Sequence, residues 1–149
     1  MKQLFLCLLL GISPCLYAVN NLRLPGVRCM GMGECGVVQS ALFNPAVVAL
    51  DSYKSFDINY FNYYGLKELG TVGLSVSYPN NLLSAGVNIS SFGYDRYRES
   101  MFRVFLGKSL TEKWTAGISI QYTFLQTELI EEKPQYLSAD VGILFIPVE

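Results

Sequence analysis

The sequence predicts an all-β protein: the first six strands of an antiparallel transmembrane β-barrel, preceded by a short N-terminal plug segment. Three observations predict it. From Lys54 to the last residue, six segments of about ten residues alternate apolar with small or polar side chains. Charges inside these segments fall on one face, and the connections between them alternate between tight and long. Strand side chains project to opposite faces in turn, so each segment presents one apolar and one polar wall. Alternation alone is equally the mark of a core-facing sheet. Charge parity, aromatic placement and loop lengths decide for lipid.

Residues 1–18 read as a secretory signal peptide, with Lys2 as a basic start, an apolar run from Leu4 to Ile12, and Ala18 as a small residue for cleavage. The run is far short of the roughly 20 residues that a spanning helix needs. Lipid attachment at Cys15 is disfavoured by Pro14 immediately before it. About 131 of the 149 residues then remain, the size of one domain. Without Lys2 the chain carries ten basic and twelve acidic side chains, so no basic surface exists for nucleic acid. Only 15% of the chain is charged, against roughly 25% in a typical soluble domain. Cys29 and Cys35 remain after the signal, as a pair joined in an exported compartment or as two thiols.

Residues 19–50 form a segment spaced by Gly26, Gly31, Gly33 and Gly36, with an apolar stretch from Gly36 to Phe43 that suits two helical turns ended by Asn44-Pro45. Residues 51–149 carry the strands. The first runs Lys54 to Tyr63 (Phe56, Ile58 and Tyr60 on one face), and the second Gly70 to Tyr78 (Val72, Leu74, Val76). The third runs Leu82 to Phe92 (Leu83, Ala85, Val87, Ile89), and the fourth Met101 to Leu110 (Phe102, Val104, Leu106). The fifth, Trp114 to Gln126, is the clearest, with Ala116, Ile118, Ile120, Tyr122 and Phe124 alternating with Thr115, Gly117, Ser119, Gln121 and Thr123. The sixth runs Tyr136 to Ile146 (Leu137, Ala139, Val141, Ile143, Phe145).

Pro79-Asn80-Asn81 and Thr111-Glu112-Lys113 read as tight turns, whereas Tyr64 to Leu69, Gly93 to Ser100 and Thr127 to Gln135 read as longer, charged loops. Membrane barrels have short periplasmic turns and long outer loops, which places the N-terminus in the periplasm. Asp57, Arg103 and Asp140 fall opposite the apolar series and read as lumen-facing charges. Lys54 and Lys108 share the apolar parity but lie at tight-turn ends, where their side chains snorkel to the interface. Tyr63, Tyr64, Phe92, Tyr94, Tyr122, Phe124 and Tyr136 gather toward the long loops, and Tyr78, Trp114 and Phe145 toward the tight turns, as two aromatic girdles. The competing reading is a soluble secreted antiparallel β-domain with a binding role.

Chemistry has little footing. The chain has no histidine, which excludes imidazole-assisted nucleophiles and the usual zinc and non-haem iron sites. Asp57 and Asp140 as a catalytic carboxylate pair are outweighed by lumen charge paired with Arg103. Gly31-Met32-Gly33-Glu34-Cys35-Gly36 has the G-x-G-x-x-G spacing, but Pro25 and Arg28 stand where a strand should precede it. Tight packing is the preferred role for these glycines. The expectation is no enzyme, no cofactor and no metal.

Gly26-Val27-Arg28-Cys29-Met30-Gly31-Met32-Gly33, followed by Ala41-Leu42-Phe43-Asn44-Pro45-Ala46, resembles the N-terminal signature of the FadL-like outer-membrane barrels, especially their Bacteroidetes relatives of the PorV and PorQ type. Ser138 to Phe145 also looks like a strand of that group. The resemblance implies a fourteen-stranded barrel in the cell outer membrane whose N-terminal segment enters the lumen. It implies uptake of hydrophobic small molecules or association with type IX secretion components. Gly31, Gly33, Asn44, Pro45 and Ala46 would then be plug or hatch positions. Six strands are fewer than the eight of the smallest such barrels, and Ile146-Pro147-Val148-Glu149 carries no terminal aromatic. The chain therefore reads as the N-terminal portion of a longer barrel.

Overall fold

A computed structural model describes residues 22, 27–33, 40–62, 65–128 and 133–147. Residues 1–18, expected to be a signal peptide, and Cys35, Gly36, Tyr63 and Tyr64 lie outside them. Its body is one antiparallel sheet of six strands in sequence order: β1 (Ser55–Asn62), β2 (Gly70–Tyr78), β3 (Ser84–Tyr94), β4 (Tyr97–Ser109), β5 (Trp114–Thr127) and β6 (Gln135–Phe145). Among the described residues β1 and β6 are the two edges.

Register turns the alternation of each strand into rows that cross the whole sheet. On one face Ile58, Leu74, Ile89, Phe102, Tyr122 and Leu137 stand side by side. The next row is Phe56, Val76, Val87, Val104, Ile120 and Ala139, and beyond it lie Tyr78, Ala85, Leu106, Ile118 and Val141. On the opposite face Asp57, Ser75, Asn88, Arg103, Gln121 and Ser138 form one polar row. A slip of one residue between any two strands would exchange the faces, so the pattern itself holds the register.

The N-terminal segment covers the middle of the polar face, over β3 to β6, and leaves Asp57 and Ser138 exposed. Leu22 packs with Phe92 and Met101 toward one end, and Leu42 and Val48 pack on Phe105 toward the other. The apolar face has nothing against it among the described residues. Phe56, Ile58, Leu137, Val141 and Ile143 are each more than 60% exposed. Burial here is inverted: Arg103, Asn88, Ser90 and Ser119 are buried while the isoleucines are bare.

Each turn has a local cause. In the β2–β3 turn the Leu82 amide donates to Asn80 Oδ1 (3.1 Å). In the β4–β5 turn Thr111 Oγ1 accepts from the Trp114 amide (3.1 Å), and the Leu110 amide donates to the Trp114 carbonyl (2.9 Å). The stretch from Gly93 to Ser100 is not a long loop. Tyr94 pairs with Tyr97 across only Asp95 and Arg96, and β4 begins four residues before Met101. Gly93 makes this possible at φ 104°, where a Cβ would collide with the Tyr97 carbonyl. The charges that suggested a loop are accommodated in the strand. Arg98 is exposed, with its guanidinium 3.5 Å from Asp95, and buried Glu99 accepts from the Tyr97 hydroxyl.

A further expectation is corrected and another extended. Phe92 belongs to no outer girdle, since it lies on the covered face against Leu22 and Met101, edge-on to Tyr97. Asn44-Pro45 opens a second helical turn as well as ending one, since the Asn44 amide closes a single turn on the Ser40 carbonyl (3.2 Å); residues 36–39 of the expected stretch lie outside the described ones. The 3₁₀ turn Pro45–Ala49 has Asn44 as its N-cap and proline at the first position, where no amide proton is needed.

Candidate functional site

The N-terminal segment is seated on four strands by a groove that the sheet makes from glycine. Ser84, Gly107, Gly117 and Gly142 are direct register partners across β3, β4, β5 and β6, so one row of the polar face has almost no side chains. Asn44, Pro45 and Ala46 lie in it. A Cβ on Gly117 would stand 2.5 Å from the Ala46 nitrogen and the Pro45 carbonyl carbon. One on Gly107 would meet Val48 Cγ1 at 2.7 Å, and one on Gly142 would meet Pro45 Cδ at 2.8 Å as well as the Asn44 side chain. Real Cβ atoms do not approach so closely. Any other residue at these positions would lift the segment off the sheet.

Asn44 fixes the segment's entry. Its Oδ1 accepts from the Ala46 amide (3.0 Å), satisfying a donor that the short turn leaves over, and its Nδ2 donates to the Ile143 carbonyl on β6 (3.3 Å). Pro45, Ala46, Val47 and Val48 are all buried. Asn44, Pro45 and Ala46 thus come together as one unit on the sheet.

Beside that unit lies the charged core of the face. Arg103, only 1% exposed, donates through Nη1 to the Leu42 carbonyl (2.7 Å) and through Nη2 to Asp140 Oδ2. Ser119, on the strand between them, also donates to Asp140 Oδ2 (3.3 Å). The guanidinium lies 5.8 Å from the Phe105 ring centroid. A planar fork suits both contacts, because one prong neutralises a carboxylate while the other holds a backbone oxygen. Asp140 pairs with Arg103, and Asp57 stands apart from both. It lines, with Asn59, Ser75 and Ser77, a cleft of about 440 Å³ that the β1–β2 wall forms with Leu42, Val47 and Cys29 of the segment.

Gly31 and Gly33 are elsewhere. Gly31 ends the one-turn helix α1 (Val27–Gly31), and Gly33 follows it with φ 69°, its amide donating to the Met30 carbonyl (3.1 Å). Both are exposed, and a Cβ on either would meet none of the described residues within 4 Å. Among those residues they form a turn. The described helix ends at Gly31, and residues 34–39, where a helix following the motif would begin, lie outside the described ones. Cys29 is buried.

Sequence reasoning named Asn44, Pro45, Ala46, Arg103 and Asp140 but missed Gly107, Gly117 and Gly142, Ser119 and Ser90. Ser90 donates to the Leu22 carbonyl (2.8 Å) and ties down the far end of the segment. The signal for the glycines was present. Gly107 and Gly117 are equidistant from Glu112 at the centre of the turn Thr111-Glu112-Lys113, so a symmetric hairpin sets them face to face.

No group of three or more metal-ligating side chains occurs among the described residues. No described helix is long and apolar enough to cross a membrane. No protein-family model, curated protein or solved structure matches the chain.

Proposed function

We propose that the chain is the N-terminal part of an outer-membrane β-barrel, FadL-like and similar to the PorV and PorQ type, with residues 19–50 as a lumenal plug. The observation that carries this reading is the inverted burial. Rows of Ile, Leu, Val and Phe cross six strands unprotected, while Arg103, Asn88 and Ser119 are covered. A soluble domain would put the first set inside and the second out.

The apolar belt also has the right height. On β5 it runs from Trp114 to Phe124. Ten intervals at about 3.4 Å give about 34 Å along the strand. At a tilt of about 40° that is about 26 Å, close to the roughly 25 Å apolar band of outer-membrane barrels. Among the described residues, charges on this face lie only at its ends: Lys54, whose ammonium sits 4.6 Å from the Tyr78 ring centroid, Lys108, and Arg98 near the hairpin tip.

Two functions fit such a barrel: passage of a hydrophobic small molecule, and service as a scaffold for type IX secretion components. We take the scaffold: Asp57, Asn59, Ser75 and Ser77 make one wall of the cleft polar, opposite Leu42, Val47, Val48 and Phe105, so it is not the mostly apolar pocket that suits a hydrophobic passenger. Under this reading, neutral replacements of Arg96, Arg98 and Glu128 on the outer hairpin and loop abolish partner pull-down and leave the protein folded. Should those changes leave secretion intact while changes at Asn44 or Pro45 block uptake of a hydrophobic compound, the transport reading replaces it. If the protein without its signal peptide folds in buffer without detergent, the soluble β-domain replaces both.

A further inference from the structure

We infer that residues 42–49 are a fixed internal brace that couples β4, β5 and β6, and not a gate that leaves the sheet. The inference rests on reading the polar face as a barrel interior. Four separate attachments hold this short piece, each from a different strand or row. Arg103 on β4 holds the Leu42 carbonyl, and Asn44 holds the Ile143 carbonyl on β6. Gly117 on β5 admits the Pro45–Ala46 peptide, and Phe105 on β4 packs with Leu42 and Val48.

A gate needs two states of comparable free energy, and a ligand shifts them only by its differential affinity. Here departure would bare Leu42, Val47 and Val48, remove an acceptor from a 1%-exposed guanidinium, and leave a groove of glycines with nothing in it. The fit is to backbone, not to flexible side chains. The groove is therefore shaped for one occupant. The cleft beside it, along Asp57 and Ser75, exists with the brace in place, and Leu42, Val47 and Val48 form part of its wall. A solute in that cleft needs no displacement of residues 42–49.

Hydrogen–deuterium exchange of the full protein in detergent and in lipid tests this at the amides of Ala46, Val47 and Leu50, whose acceptors are Asn44 Oδ1, the Asn44 carbonyl and the Val47 carbonyl. A fixed brace predicts exchange at least about 100-fold slower than in a free peptide of residues 40–50, approaching that of the β4 amides. Gly142→Val should accelerate these amides at least tenfold while leaving Gly31–Gly33 unchanged. If that variant does not fold, Asn44→Ala, which adds no bulk, should produce the same acceleration. Exchange at the free-peptide rate in the unaltered protein, or no acceleration in a folded variant, overturns the brace. Protection that persists in protein folded without detergent would refute the barrel reading and leave the brace standing.

Discussion

Replacing Gly117 by valine sets two effects of opposite sign against each other. Glycine in a strand interior is unfavourable, and a β-branched residue there would ordinarily stabilise the sheet by up to about 1 kcal/mol. Against this, the new Cβ would lie 2.5 Å from the Pro45 carbonyl carbon and the Ala46 nitrogen. Ordinary contact begins near 3.4 Å, so the segment must retreat by about 1 Å. A gap of that size forfeits a quarter to a half of each dispersion contact along buried Pro45 to Val48. It also stretches the Asn44–Ile143 hydrogen bond, already 3.3 Å, beyond useful length. Overpacking of this kind costs about 1–3 kcal/mol, and the lost bond about 1 kcal/mol more. The expected net loss is about 1–4 kcal/mol. Urea unfolding of the protein in detergent micelles should show the midpoint falling by about 1 M or more. Gly31→Ala, where a Cβ meets nothing, is the control and should not lower it. A Gly117→Val protein as stable as the original would refute the seating of Asn44-Pro45-Ala46 on this row.

Three other outcomes follow from the same geometry. Asp140→Ala leaves the buried Arg103 guanidinium without its half-exposed carboxylate and should cost about 1–2 kcal/mol in the same unfolding assay, the fully buried-pair cost being reduced by solvent screening of Asp140; Arg103→Lys should fall short of the unaltered protein's stability, because an ammonium lacks the planar fork that reaches both the Leu42 carbonyl and Asp140. Ile120→Arg, in the middle of the apolar belt, should lower stability in lipid by about 2–4 kcal/mol, whereas Gln121→Arg on the other face should cost far less. Asn44→Ala should cost about 1–2 kcal/mol and Asn44→Asp at least as much, since aspartate keeps the Ala46 acceptor but turns a carboxylate oxygen toward the Ile143 carbonyl at a buried position; thermal unfolding in detergent ranks the two.

What the sequence discloses about this fold depends on how local the cause is. Period-two alternation is local, and it placed β2 at Gly70–Tyr78 and the start of β5 at Trp114 without error. The polar parity of Asp57, Arg103 and Asp140 was legible for the same reason. The hairpin at Tyr94–Tyr97 was hidden because Arg96, Arg98 and Glu99 look like loop residues; a strand tolerates them when one points outward and another meets the Tyr97 hydroxyl. Asn44-Pro45 was ambiguous in principle, since the same pair that breaks a preceding helix caps a following one. The glycine row was the least visible, because each glycine is merely a small residue on its own strand. Only pairing across β4, β5 and β6 aligns them, and only the third dimension lays Asn44-Pro45-Ala46 along them.

The single tryptophan offers the most direct test of the claim that the apolar face meets lipid. Trp114 is half-exposed at the turn end of that face, its ring 4.8 Å from Phe145 between centroids. In vesicles containing lipids brominated at successive acyl positions, its fluorescence should be quenched, most strongly by bromines nearest the headgroups. Unquenched emission at every bromine depth, from a folded protein, would contradict the account.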